Sequence, residues 1–66
     1  MMREGLRKFY TYALNFIVQE EQTSLKEVRR FLTSFKLSEE DVSEILDKLC
    51  KCSFFTFSNN TFYKIS

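Results

Sequence analysis

At Ser53 the apolar period of this chain changes from 3.6 residues to 2, and no other feature constrains the fold as much. Everything before that point reads as helix. Everything after it reads as a pair of short strands. Gly5 is the only glycine and proline is absent, so the boundaries must come from capping residues and not from breakers.

The first helix is expected at about 3–21, beginning at Arg3. Leu6, Phe9, Tyr10, Tyr12, Ala13, Leu14, Phe16 and Ile17 spread over an arc of roughly 200°, wider than the stripe of a little over 100° that one core needs. With Leu6, Phe9, Ala13 and Ile17 inward, Tyr12 and Phe16 fall on one flank, and Tyr10 and Leu14 on the other. Thr23-Ser24-Leu25-Lys26-Glu27 then forms a capping box that opens a second helix, expected at 25–35. Leu25, Val28, Phe31, Leu32 and Phe35 make its apolar stripe, with Lys26, Arg29 and Arg30 opposite. Ser38 caps a third helix, expected at 39–51, whose acidic first turn suits the positive end of the helix dipole. Val42, Ile45, Leu46 and Leu49 are its buried side.

In the final segment, expected as a hairpin over 53–65, Asn59-Asn60 suits a tight turn because asparagine tolerates positive φ. Pairing Phe57 with Phe62 places Phe55, Phe57, Phe62 and Lys64 on one face, and Phe54, Thr56, Tyr63 and Ile65 on the other. Both faces are apolar, and three short helices can cover only one. We take Phe55, Phe57 and Phe62 as the outer face. The fold class is α+β, mainly α: a three-helix bundle followed by a C-terminal β-hairpin, in one domain spanning 1–66.

The 66 residues are 44% hydrophobic and 17% aromatic, enough for a small core and too apolar for a disordered tail. A net charge of +1 gives no global field toward nucleic acid or anionic membrane. The charge is segregated, with +3 over residues 1–37 and −3 over residues 38–51. Cys50 and Cys52 are too close for an ordinary staple, which fits a reducing cytoplasm or nucleus, and they are too few to hold zinc. Histidine is missing and no glycine-rich phosphate loop exists, so neither an enzyme, a cofactor nor a small-molecule substrate is expected. No apolar run approaches the roughly 20 residues of a membrane span.

Ser24 to Leu32, the turn, Leu37 to Leu49, and Phe54 to Ile65 as a wing together resemble a winged helix–turn–helix domain. The short polar wing and the ending Phe62-Tyr63-Lys64-Ile65 are similar to the terminal winged helices of replication proteins, namely minichromosome-maintenance helicase subunits and the middle subunit of replication protein A. That subgroup implies protein partners. The pattern departs from DNA-reading members: the third helix carries Glu39, Glu40, Asp41, Glu44 and Asp47, where base readout and phosphate contact favour Arg, Lys, Asn and Gln.

Two functions follow as expectations. The first is a protein-interaction module, a small subunit or terminal domain of a larger replication or transcription assembly. It would bind a foreign protein or a second copy through Tyr12, Phe16, Phe55, Phe57 and Phe62, with Glu40, Glu44 and Asp47 as an acidic rim. The plainer alternative is that the rings fold into the core and the acidic helix face is merely solvated. The second is a small dimeric DNA-binding regulator of transcription, contacting the duplex through Arg29, Arg30, Lys36, Lys48, Lys51 and Lys64. The acidic third helix counts against it.

Overall fold

The computed structural model describes residues 4–65. Its elements run α1 (Glu4–Val18), β1 (Gln22–Ser24), α2 (Leu25–Thr33), α3 (Glu39–Cys50), β2 (Phe55–Ser58) and β3 (Thr61–Lys64). The expected start of the first helix at Arg3 lies outside the described residues.

Both caps form where the hydroxyl residues stand. Ser24 Oγ accepts from the Glu27 N–H at 3.1 Å, and Ser38 Oγ accepts from the Asp41 N–H at 3.2 Å. Each relieves one of the amide donors left unpaired at a helix start. Ser24 has a second duty as the last residue of β1, pairing with Thr61 of β3. Each helix ends before its expected limit. α2 stops at Thr33 because Lys36 takes φ 63°, a left-handed conformation that closes the chain back through bonds from Phe35 N–H to Leu32 O and Lys36 N–H to Thr33 O. α1 stops at Val18, not Glu21, because the following residues are drawn into the sheet.

That sheet has three antiparallel strands in the order β1-β3-β2, where the sequence suggests two. Gln22, Thr23 and Ser24 pair with Tyr63, Phe62 and Thr61. β3 in turn pairs with β2 in the expected register, Phe57 opposite Phe62. Asn59 and Asn60 both take positive φ, 51° and 57°, as a two-residue hairpin turn requires. The Asn60 carbonyl then accepts from the Leu25 N–H at 2.8 Å, fastening the turn to the start of α2.

One face of this sheet closes the helical bundle. The core consists of Leu6, Ala13 and Ile17 of α1, Val28 and Leu32 of α2, Val42, Ile45, Leu46 and Leu49 of α3, and Phe55 and Phe62 of the hairpin. The expected division of the hairpin into two faces holds, but its sidedness reverses. Phe62 is 0% exposed and Phe55 5%, with ring centroids 5.9 Å apart, and half-buried Phe57 sits 4.7 Å from Phe62. The outer residues are Phe54, Thr56, Tyr63 and Ile65, all exposed. The reason is area: three phenyl rings on one side outweigh a set that includes a threonine and a tyrosine hydroxyl. Lys64, at the strand end, stays exposed despite belonging to the inward set.

Beside Phe62 on the inner face lies Thr23, 2% exposed, whose Oγ1 has no hydrogen-bond partner among the described residues. An unpaired buried hydroxyl is destabilising, so Thr23→Val, which keeps the shape, is expected to stabilise the fold by about 1 kcal/mol. Thermal unfolding followed by circular dichroism should show a rise of roughly 4–8 °C for a domain of this size. Removing the Phe62 ring has the opposite sign. Phe62→Ala is expected to cost about 3–5 kcal/mol and leave little folded protein, whereas Phe54→Ala on the outer face should change stability by no more than about 0.5 kcal/mol in urea titration.

Candidate interaction surface

Where α1 and α2 meet, five aromatic rings form one connected cluster. Phe16 stacks on Phe31 with centroids 4.4 Å apart and planes 12° from parallel. Phe31 meets Phe35 edge-on at 5.2 Å, and Phe35 touches Phe9 at 5.1 Å and Tyr12 at 5.8 Å. Phe9 and Tyr12 close the set edge-to-face at 6.0 Å. The contacts run down α1 from 16 to 9 as they run up α2 from 31 to 35, so the helices are antiparallel at this seam. Positions 9, 12 and 16 share one side of α1, Phe31 meets them from α2, and Phe35 follows in the turn just past the end of α2.

The cluster is only partly covered. Tyr12 is 46% exposed and Phe35 38%, while Phe9, Phe16 and Phe31 are half-buried. A shallow depression at its α2 end is lined by Phe16, Glu27, Arg30, Phe31 and Ser34. A second one beside it is lined by Lys26, Arg29, Arg30, Thr33 and Ser34. On the α1 side, Lys8 Nζ stands 5.2 Å from the centroid of the Phe9 ring, within cation–π range.

Of the aromatic residues expected at an interface, Tyr12 and Phe16 therefore belong to a surface cluster. Phe55 and Phe62 do not: they are core, and Phe57 packs half-buried against them. Phe9, Phe31 and Phe35 take their place. Phe35 had a visible signal, since it closes the apolar stripe of α2 next to the break, where a short helix leaves its last ring uncovered. In the acidic set, Glu40 and Asp47 are exposed, and Glu44 is half-buried, with Oε2 shut off from solvent and without a hydrogen-bond partner among the described residues. That leaves a smaller acidic rim, and Asp47 shares its charge with Lys51 at 3.1 Å.

The basic residues of the alternative are all exposed, but they occupy four segments: Arg29 and Arg30 on α2, Lys36 in the turn, Lys48 and Lys51 at the end of α3, and Lys64 at the end of β3. Among the described residues, Lys51 is the one of these tied to a carboxylate.

Cys50 and Cys52 are free thiols. Burial pushes the Tyr10 phenol up from its ordinary value, helped by a hydrogen bond with Cys52, so the Tyr10 side of α1 abuts the α3–β2 join. Partial burial also pushes the Cys50 thiol up, followed by the nearby Asp47 carboxylate, against a smaller opposing effect of Lys51. Among the described residues no cluster of three or more His, Cys, Asp or Glu could hold a metal ion, and no helix is long and apolar enough to cross a membrane. Comparison with known proteins finds no matching family model, curated protein or solved structure.

The raised Cys50 value has a measurable consequence. In a Cys52→Ser variant, alkylation by iodoacetamide should reach half its maximal rate at a higher pH in the folded protein than in the same chain in urea. Because folding holds the proton on this thiol, its contribution to stability is present below the unfolded thiol value and falls as pH rises through the folded one.

Proposed function

We propose that this chain is a winged-helix protein-interaction module without enzymatic activity, working inside the cell as a small subunit or terminal domain of a larger replication or transcription assembly. The observation that carries the interaction reading is the five-ring cluster at the α1–α2 seam, with Tyr12 and Phe35 open to solvent. Fully burying one such ring stabilises by roughly 1.5–3 kcal/mol, so a partner covering both gains a substantial driving force. The order of elements supports the winged-helix reading: α2 and α3 joined by a short turn, followed by a hairpin whose inner face closes the bundle. The two free thiols agree with a reducing compartment.

A dimeric DNA-binding regulator is the competing reading, and the exposed Lys26, Arg29 and Arg30 strip on α2 is what favours it. The five carboxylates of α3 oppose it, since anions near phosphates weaken binding.

Affinity capture with the wild-type chain and with Tyr12→Ser/Phe35→Ser separates these readings. The expected result is a protein partner retained by the wild type and lost by the double variant, while far-ultraviolet circular dichroism keeps its helical signal. Identical capture by both chains sinks the aromatic surface as the binding site. Duplex binding that weakens steeply with added salt would favour the regulator instead.

A further inference from the structure

We infer that the α1–α2 seam takes an acidic amphipathic helix, an assignment that rests on the interaction reading above and specifies the chemistry of the partner. The seam is asymmetric in charge. Arg30 lines both depressions beside the rings, Lys26 and Arg29 line the outer one, and Lys8 stands over Phe9 on the opposite helix. None of these four cations has an ion-pair partner among the described residues, and Glu27 is the only carboxylate lining either depression. The aromatic floor is therefore edged by an excess of unpaired positive charge, which attracts an anionic partner and disfavours a cationic one.

Shape selects the helix. Two antiparallel helices leave a groove between them, and the apolar face of a third helix fits such a groove. From Phe9 to Phe16 the ring strip covers about 10 Å of α1, or two turns, which matches apolar anchors at i, i+4 and i+7 of a bound helix. A second copy of this chain cannot supply that element from its acidic helix. The apolar side of α3 (Val42, Ile45, Leu46, Leu49) is already buried in its own core, leaving carboxylates without anchors.

Three fluorescein-labelled helical peptides of 14 residues make the test, each with Phe at i and Leu at i+4 and i+7. Their remaining positions alternate Ala with Glu, Ala with Lys, or Ala with Gln. By fluorescence anisotropy at low salt, the Glu peptide is expected to bind about tenfold tighter than the Lys peptide, the scale of a few exposed ion pairs acting together. Lys26→Glu/Arg30→Glu, which leaves every ring in place, should reverse that order. Tyr12→Ser/Phe35→Ser should abolish binding of all three.

Equal binding of the three peptides, or a preference for Lys, overturns the charge assignment. If Tyr12→Ser/Phe35→Ser still abolishes that binding, the interaction reading survives it. Binding that ignores the loss of both rings removes the seam itself. Tighter binding of a single-stranded oligothymidine than of the Glu peptide assigns the aromatic and basic groups to nucleic acid and overturns the proposal. So does a dimer in sedimentation that the double serine variant dissociates, because the occupant is then a second copy.

Discussion

The burial of Phe62 is the constraint on which the rest of this small fold depends. Its strand, β3, is the middle of the sheet, with Thr23 of β1 on one side and Phe57 of β2 on the other. The ring is completely enclosed and touches two further phenyl groups. A chain this short has little apolar area with which to offset the conformational entropy of ordering it, so one enclosed ring is a large share of the total. Once Phe62 points inward, the alternation of the strand fixes Tyr63 outward. The register then fixes Thr23 beneath the sheet and draws the end of α1 toward it. The hairpin is thus a wall of the core and not an appendage.

That commitment explains why the exposed rings lie elsewhere. Phe55, Phe57 and Phe62 are used in closing the bundle, and the surplus appears at the seam of two helices that are too short to shield each other. α2 has nine residues, and its last ring, Phe35, sits beyond its end in a turn set by the left-handed Lys36. Phe9, Phe16 and Phe31 pack against the core as well as against the other rings of the cluster. Charge is unevenly spread as well: Lys8, Lys26, Arg29 and Arg30, without ion-pair partners among the described residues, edge the α1–α2 seam, and five carboxylates lie on α3.

Much of the helical layer was legible in the sequence. Ser24 and Ser38 cap where their spacing to Glu27 and Asp41 implies, and all four apolar residues of α3 are buried. The Asn59-Asn60 turn and the register of Phe57 with Phe62 follow from local chemistry as well. β1 was not legible. Gln22-Thr23-Ser24 has no alternating apolar pattern, and its partner lies at the far end of the chain, so pairing is decided by tertiary contact. The sidedness of the hairpin was hidden for a related reason: both faces carry aromatics, and alternation sorts residues into faces without saying which face turns in. Of the site, Tyr12 and Phe16 were recognisable from the excessive apolar arc of α1. Phe31 looked like ordinary core, and so did Phe35 apart from its place next to the break, because helical periodicity does not report where a helix stops.

The bond from the Leu25 N–H to the Asn60 carbonyl gives the hairpin tip a consequence of its own. A loop free at both shoulders could swing out and probe a neighbouring molecule, but this one is moored to the first amide of α2. Lengthening the tip by even one residue would slacken the mooring and unseat the start of that helix. The apex of the hairpin, for all its polar Ser-Asn-Asn-Thr composition, is a strut of the scaffold.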